Sequence, residues 1–372
     1  MNVGRIAKWI ILLGLELMLD AMPADAEGPP VGRIEQVRGM VTIVKSDGRQ
    51  VGAQAGIALF SGDQVTAGED AEVLFSVHEA EFRLGRDSQI VIDDLSAQDV
   101  EDGETVMALI LGFLRSKVGR LLGSPGGFQL HTPTAVVGVR GTEFDTVVSM
   151  DAASAVVVDE GEVQIDWEGQ QGALGQGQML EVEMGGKEWL PKRAAPRDKR
   201  DWESWRQKRI QRLFRHLPVL APRFASKFDR TVVRSDQFSG RVNAQAERVR
   251  KGIKSVRRAT EISRREARLA AQHLKQEVLK FKEMVQKFRH AKNRVRAMAR
   301  LSKRVERFVE QKGERFTDRE RSVIESSLKD ISGKRQELRE IFSSTTANIR
   351  ETFKELREWK AEVMQRRGGR GG

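Results

Sequence analysis

The chain has 372 residues, enough for two or three domains, and contains no cysteine and no tyrosine. Disulfides, thiol chemistry and cysteine-ligated metals are therefore excluded. The net charge of +11 is unevenly divided, because residues 1–190 carry 13 Lys and Arg against 30 Asp and Glu, whereas residues 191–372 carry 51 against 23. This asymmetry indicates two modules with different partners, which can also attract each other at close range.

The amino terminus has the pattern of an export signal. Arg5 and Lys8 precede an apolar run over residues 9–19, which is too short to span a bilayer, and Ala24-Asp25-Ala26 supplies a small-x-small cleavage pattern. We predict a signal peptide over 1–26 and a periplasmic or otherwise extracytoplasmic protein. Glu16 inside the apolar run leaves an uncleaved membrane anchor as the alternative.

Residues 31–190 have the texture of an all-β domain. Short runs rich in Val, Ile, Leu and Phe alternate with Gly, Asp and Ser at turn positions. The regular spacing predicts a roll, a sandwich or a short β-helix. An internal echo, in which Gly39-x-Val-x-Ile recurs as Gly161-x-Val-x-Ile, favours a pseudo-symmetric fold, although two short β patterns can also match by chance.

The most regular stretch of this region reads TPTAVVGVRGTEF over residues 132–144. Its alternating small apolar residues predict a strand, Gly141 predicts a turn or bulge, and residues 143–148 predict the next strand. Arg140 in an apolar strand needs a carboxylate partner, which Glu143 or Asp145 could supply. A ligand-contacting role for Arg140 is the alternative.

This run resembles the signature of the FecR domain, the extracytoplasmic part of bacterial transmembrane signalling proteins. The resemblance covers roughly residues 31–184 and includes the turn Gly62-Asp-Gln-Val-Thr66. It implies an interaction module that passes a signal from an outer-membrane receptor to a membrane-bound sigma regulator. The signature positions that it marks as interaction or structural residues are Thr132, Pro133, Val139, Arg140, Gly141, Thr142, Glu143 and Phe144.

The chain departs from the family pattern outside the β-domain. We expect no cytoplasmic regulator segment before the apolar run, no full transmembrane helix, and a long helical module in the carboxyl half. Direct control of a sigma factor therefore does not carry over, and only the role of the β-domain as an interaction module does.

Residues 191–223 are predicted to be a linker with one short amphipathic helix. The segment 191–200 is rich in proline and charge, and apolar residues at helical spacing follow until Pro218 and Pro222, which are predicted to close the helix. Residues 224–365 then form a basic helical or coiled-coil region, and residues 366–372 a disordered Arg/Gly tail.

Two heptad seams run through the basic region. One continues from Leu274 to Phe288 and resumes at Leu301, and the other extends from Ile324 to Val363. A break near Gly313 and a capping box at Thr317-Asp-Arg-Glu320 separate the two helices. We predict a long antiparallel helical hairpin or coiled coil, whose polar seam positions need a third helix or another subunit to cover them.

No catalytic constellation is found in the sequence. The five histidines, including His131 beside the signature, are scattered without metal-ligand spacing, and the acidic stretch 93–104 lacks the ligand pattern of an EF-hand. We therefore expect a protein that is not an enzyme and uses no cofactor or metal.

The basic helices have densest clusters at Arg264, Arg265, Lys292, Arg294, Arg296, Lys303 and Arg304. In an exported protein, anionic lipid or a cell-wall polymer is the expected partner of such clusters, and nucleic acid is not. A solvated coiled-coil face is the plain alternative.

Two functional hypotheses follow from these patterns. The first is an envelope signalling or scaffold protein whose β-domain binds a protein partner and whose helices permit homo-oligomers. The second is a binder of an anionic envelope polymer or membrane surface through its basic helices. An enzyme with an unrecognised site is a third alternative.

Overall fold

Strands with alternating burial fill the amino-terminal half of the protein. The computed structural model describes residues 30–368 apart from 79, 95–104, 120–127, 140, 168–169, 184–185 and 187, so the predicted signal peptide and the last residues of the Arg/Gly tail lie outside the described part. The strands are β1 Gly32–Arg38, β2 Val41–Val44, β3 Gln50–Gly52, β4 Ala58–Leu59, β5 Gln64–Ala67, β6 Glu72–Val77, β7 Ala80–Leu84, β8 Ser88–Asp94, β9 Thr105–Val118, β10 Phe128–His131, β11 Ala135–Val139, β12 Thr142–Val148, β13 Ser154–Glu160, β14 Glu162–Trp167, β15 Gln170–Gly175, β16 Gln178–Val182 and β17 Lys192–Arg193.

The strands form two layers around one apolar core. One layer has the order β1-β6-β7-β9-β12-β13-β16-β17, with β4 also beside β1. The other has the order β3-β2-β5-β8-β9-β10-β11-β14-β15, in which β9 and β10 are parallel and the remaining neighbours antiparallel. Phe82 of the first layer packs on Phe128 of the second, with ring centroids 5.3 Å apart. The all-β prediction is confirmed, as two layers that share a strand.

Strand β9 belongs to both layers because it bends at Gly112. Its first half pairs with β8 and β10, and its second half pairs with β7 and β12. Gly112 has a φ of 97°, and a Cβ placed on it would lie 2.0 Å from Ser88 Oγ. Only glycine allows both this backbone conformation and this close approach.

Three long helices follow the β-domain: α1 Trp202–Ile262, α2 Arg264–Lys312 and α3 Asp318–Gly368. They run up, down and up, since Gln245 of α1 bonds Glu277 of α2, and Arg250 of α1 pairs with Glu355 of α3 at 3.0 Å. Both predicted seams are buried in this bundle. The third helix that the polar seam positions required is α1.

The helix α1 begins at Trp202, where the apolar residues at helical spacing begin, but it runs much further than the sequence predicted. The expectation that it closes at Pro218 and Pro222 is wrong, because both prolines lie inside the helix. The neighbouring Leu217, Ala221 and Ala225 are buried against the β-domain and the other helices. Burial of this face offsets the hydrogen bonds that the prolines remove.

Two capping residues set the turns between the helices. Thr317 N donates to Glu320 Oε2 at 3.0 Å and Glu320 N donates to Thr317 Oγ1 at 3.3 Å, which confirms the predicted capping box. Ser263 turns the chain between α1 and α2, and its Oγ accepts from Glu266 N at 3.2 Å. Sequence reasoning missed this turn, although Ser263-x-x-Glu266 has the same capping-box spacing.

Candidate functional site: the signature corner and the basic groove

The signature begins with a buried network of hydroxyl groups. Thr132 Oγ1 accepts from Ala135 N at 2.9 Å and closes the turn between β10 and β11. Ser154 of β13 donates to Thr132 Oγ1 at 2.9 Å and lies 2.8 Å from Thr134 Oγ1. Buried hydroxyls are stable only when bonded in this way, so the network fixes the turn that carries Pro133.

The signature then turns a corner from one layer to the other. Gly141 separates β11 from β12 with a φ of 64°, and Gly161 separates β13 from β14 with a φ of 86°. The two corners lie back to back, because a Cβ on Gly161 would be 2.8 Å from Gly141 O. Thr142 Oγ1 donates to Glu162 O at 2.9 Å and ties them together. Both Val139 and Phe144, on either side of the corner, are buried in the core.

The carboxylates of the signature are held by arginines from elsewhere in the chain. Asp145 is fully buried and accepts from Arg115 Nε at 2.8 Å and from Arg200 Nη1 at 2.9 Å. Glu143 pairs with Arg197. The sequence had offered either Glu143 or Asp145 as a partner for Arg140, which itself lies outside the described residues.

The segment 191–200 is a strap on the β-domain, where the sequence had predicted a linker. Strand β17 pairs with β16, and Arg197 and Arg200 both bind Asp159 of β13. Burial raises the pKa of Asp159, but the hydrogen bonds from Arg200 and Arg197 outweigh it, and the net shift is downward. Local charge alone could not show these contacts, because the partners are about 40 residues apart.

The first helix is joined to the β-domain by a second ion-pair cluster. Arg209 of α1 bonds Asp151 at 2.7 Å and Glu183 at 2.5 Å, and its side chain is 12% exposed. Hydrogen bonding to Arg209 lowers the pKa of Glu183. The β-domain and α1 are therefore connected by paired charges on both sides of Asp201, which caps the helix by accepting from Ser204 N at 2.8 Å.

His131 lies buried at the contact between β10 and α2. Its Nε2 is 3.1 Å from Gln129 Oε1, and its ring meets the ring of His290 at a centroid distance of 5.3 Å. Its Nδ1 has no hydrogen-bond partner among the residues that the structure describes. Burial above all, and then the positive fields of His290 and Arg294, hold the pKa of His131 well below its usual value of 6.5.

We expect this histidine to make stability depend on pH. Since the unfolded chain takes up a proton near pH 6.5 and the folded His131 does not, the free energy of unfolding should fall as pH drops below about 6.5, by up to about 1.4 kcal/mol per pH unit. Urea unfolding of the wild type and of His131→Gln across this range measures the slope. The exposed His216→Gln is the control. An equal slope in His131→Gln would contradict the assignment.

The seven basic positions predicted on the helices do not form one patch. They are spread along α2 over about 60 Å at 1.5 Å per residue. Arg265, Arg296 and Lys303 are exposed, and the side chain of Arg264 is outside the described part. Lys292 Nζ donates to Thr346 Oγ1 of α3 at 3.0 Å.

Two of the seven face the β-domain. Arg304 is half-buried, and its pKa is lowered by burial and by Arg307, with Asp87 of the β7–β8 turn opposing the shift. Arg294 lines a cleft together with Pro133 and Thr134 of the signature. The structure therefore joins one predicted helix residue to the predicted signature residues.

This cleft belongs to a basic groove between α1, α2 and the β-domain. Two adjoining cavities of about 480 and 630 Å³ share Lys227, Thr231 and Arg234 as lining residues. We define the basic groove by Pro133, Thr134 and Arg294 together with five cations of α1, namely Arg223, Lys227, Arg230, Arg234 and Arg241. Sequence reasoning missed this set, although its spacing of 4, 3, 4 and 7 residues is a helical stripe.

Neither a metal cluster nor a membrane span is found in the part of the chain that the structure describes. No group of three or more His, Asp and Glu side chains there is placed to hold a metal ion. Among the described helices, none has a sufficiently long apolar stretch to cross a bilayer.

Comparisons with known proteins point to one family for the β-domain. The model of the FecR protein family matches residues 63–164, which run from the end of the β4–β5 turn into β14 and include the whole signature. Two crystal structures from Parabacteroides distasonis, each named a "putative anti-sigma factor", are similar to the chain at 18% and 20% identity, with TM-scores of 0.30 and 0.31. Each likeness covers 35% of this chain, and the chain spans only 59% of each of those structures. No curated protein sequence matches the chain. Residues 63–164 of the β-domain, the segment that carries the signature corner, therefore match the FecR protein family.

Proposed function

We propose that the protein is a non-enzymatic, extracytoplasmic FecR-domain protein that acts as a protein-interaction module in envelope signalling or scaffolding. The match of residues 63–164 to the FecR family is the observation that carries this proposal. The signature residues have structural roles in this proposal, because they form the hydroxyl network, the glycine corner and part of the core.

The outer face of the first layer is the surface that we propose for the partner. Exposed charges of opposite sign alternate across its strands, as in Arg83–Glu72 at 2.9 Å and in the pairing of Glu81 with Lys117. Protein interfaces use such charge patterns for specificity and orientation more than for affinity. Arg200, just before α1, and Arg209, within it, form ion pairs with the β-domain. Through them, a displacement of this face on partner binding would be transmitted to α1.

Photo-crosslinking in the native envelope tests this proposal. A photoreactive residue is placed at Glu81 or Lys117 on the outer face, and at the exposed Gln336 of α3 as the control. We expect a discrete protein adduct from the two outer-face positions and none from Gln336. A β-domain that binds a partner would be contradicted if only Gln336 gave an adduct, or if none of the three positions gave one.

A second function, binding of an anionic membrane surface, is favoured by the tip of the bundle. At the α1–α2 turn Ile262 is 70% exposed and Leu269 is 59% exposed. Lys251, Lys254 and Arg258 line the same surface, together with the acidic Glu247 and Glu266. Exposed apolar side chains beside cations are typical of surfaces that bind anionic lipid.

Vesicle co-sedimentation at low salt measures this second function. The wild type should bind vesicles containing phosphatidylglycerol and not vesicles of phosphatidylcholine alone. The double variant Ile262→Ser with Leu269→Ser should bind several-fold less, because each apolar side chain contributes to insertion. Binding that is absent in the wild type at low salt, or unchanged in the variant, would rule out the tip as a membrane site.

A further inference from the structure

The basic groove places a row of cations along one face of α1. From Arg223 to Arg241 the row spans 18 residues of helix, or about 27 Å at 1.5 Å per residue. Arg294 of α2 adds a charge from the opposite wall, beside Thr134 of the signature turn. Like charges this close repel one another, so an unoccupied row of this kind is unfavourable.

The groove contains few carboxylates to offset these cations. Within the described residues, Arg223, Arg234, Arg241 and Arg294 form no ion pair, and Arg230 bonds only the hydroxyl of Ser226. Asp151 and Glu183, the two acidic residues that line it, lie at one end and are already bound by Arg209. Other cations of the bundle do have carboxylate partners, as Arg250 with Glu355 at 3.0 Å and Arg257 with Glu362 at 2.7 Å.

The floor of the groove is apolar. The half-buried Phe224 and Leu220 line one end, and the half-buried Phe238 lines the other, together with the buried Met298 and Phe342. The guanidinium of Arg241 lies 5.1 Å from the ring centroid of Phe238, so cationic and aromatic groups alternate along the surface. A ligand that fits the groove must therefore present negative charges to the cations of the rim and an apolar face to the floor.

We propose that the basic groove binds an acidic amphipathic peptide segment of the protein partner. This inference rests on the proposed function, since it assumes that the partner is a protein. Arginine dominates the rim and its guanidinium binds carboxylates in bidentate pairs, while the apolar floor accepts one face of a helix. The bound segment would contact the signature turn, helix α1 and helix α2 at the same time.

The same floor argues against the other anionic ligands. A uniformly charged polymer would leave the exposed parts of Leu220, Phe224 and Phe238 in contact with water, because it has no apolar side to cover them. An acyl chain is best buried in an enclosed cavity, whereas this groove lies open along its length. A peptide can satisfy both the rim and the floor.

Fluorescence anisotropy with synthetic helical peptides of about 18 residues, matched to the length of the row at 1.5 Å per residue, tests the proposal. The probe has Glu on one face and Leu on the other, and two comparison peptides replace Leu by Ser or Glu by Lys. The purified full protein is titrated at low salt as wild type, as Arg234→Glu with Arg241→Glu, and as Arg223→Glu with Arg230→Glu. The matched control, Arg339→Glu with Arg350→Glu, makes the same change of charge at two exposed positions of α3 that do not line the groove.

We expect the Glu/Leu peptide to bind and both groove variants to weaken it at least about tenfold, a factor that is readily resolved in a titration. The α3 control should stay within about twofold, because exposed charges away from the groove are screened by salt. All substituted side chains are solvent-exposed, and those of the two groove variants line the groove. Circular dichroism checks that each variant is folded.

Three results would overturn the proposal. One is equal weakening by the α3 control, which would mean binding to net charge alone. The second is equal affinity for the Ser peptide, which would assign the groove to a linear polyanion. The third is binding of phosphatidylglycerol vesicles, but not of the peptide, that the groove variants abolish. Failure here with outer-face adducts retained at Glu81 and Lys117 would leave the proposed function standing.

Discussion

Replacing Arg200 by Ala is expected to lower the free energy of unfolding by about 3 kcal/mol, the lower end for breaking a buried ion pair. The Arg200 side chain is 7% exposed and bridges Asp145, which is fully buried, to Asp159. Without Arg200, the buried carboxylate of Asp145 loses one of its two arginine partners and forms an ion pair with Arg115 alone. Urea unfolding followed by circular dichroism measures the change.

An exposed ion pair is the control for Arg200. Arg33 pairs with Glu35 at 2.8 Å, but its side chain is 68% exposed. Arg33→Ala should therefore cost less than about 1 kcal/mol. Equal losses in the two variants would show that the strap is peripheral to the fold, and that α1 is held to the β-domain by its other contacts.

Replacing Gly112 by Ala is expected to cost more than about 3 kcal/mol, from the left-handed backbone and from overpacking together. The added Cβ would lie 2.0 Å from Ser88 Oγ and 2.5 Å from Ser88 Cα. The Ser88 side chain cannot move away freely, because its Oγ accepts from Phe113 N and donates to Arg86 O, both at 2.9 Å. The bend that lets β9 serve both layers would then be strained or lost.

Gly48 is the control that distinguishes the cost of the left-handed backbone from the cost of the steric contact with Ser88. Its φ of 94° is nearly that of Gly112, but a Cβ placed on it meets nothing within 4 Å. Gly48→Ala should therefore lose only about 1–2 kcal/mol. Soluble yield and urea unfolding compare the two, and a similar loss in both would mean that the contact with Ser88 is easily relieved.

Local patterns predicted the elements of the fold well. The alternation in residues 132–148 predicted β11 and β12, and the glycine between them occupies the corner. The heptad spacing predicted α2 and α3, and the Thr317 capping box predicted where α3 begins. These features depend on contacts within a few residues, which a sequence displays directly.

The candidate site was predictable only in part. The sequence singled out the signature and Arg294 but not that they line one groove. It offered Glu143 or Asp145 as a partner for Arg140, which lies outside the described residues, and it did not show that Asp145 binds Arg115 and Arg200, 30 and 55 residues away in sequence. Any of several arginines could pair with one carboxylate as far as residue type is concerned, so the partner is determined by the tertiary fold.

Local sequence patterns alone establish the division into an acidic β-domain and a basic helical region, the FecR-like signature and the heptad seams, because periodicity and turn chemistry are short-range properties. Only in the folded chain is it evident that residues 191–200 are a strap, that α1 passes through two prolines as the third helix, and that its Lys227, Arg234 and Arg241 line one cleft with the signature turn. These outcomes depend on burial and on charge pairs between distant segments, whose free energies exist only once the chain has folded.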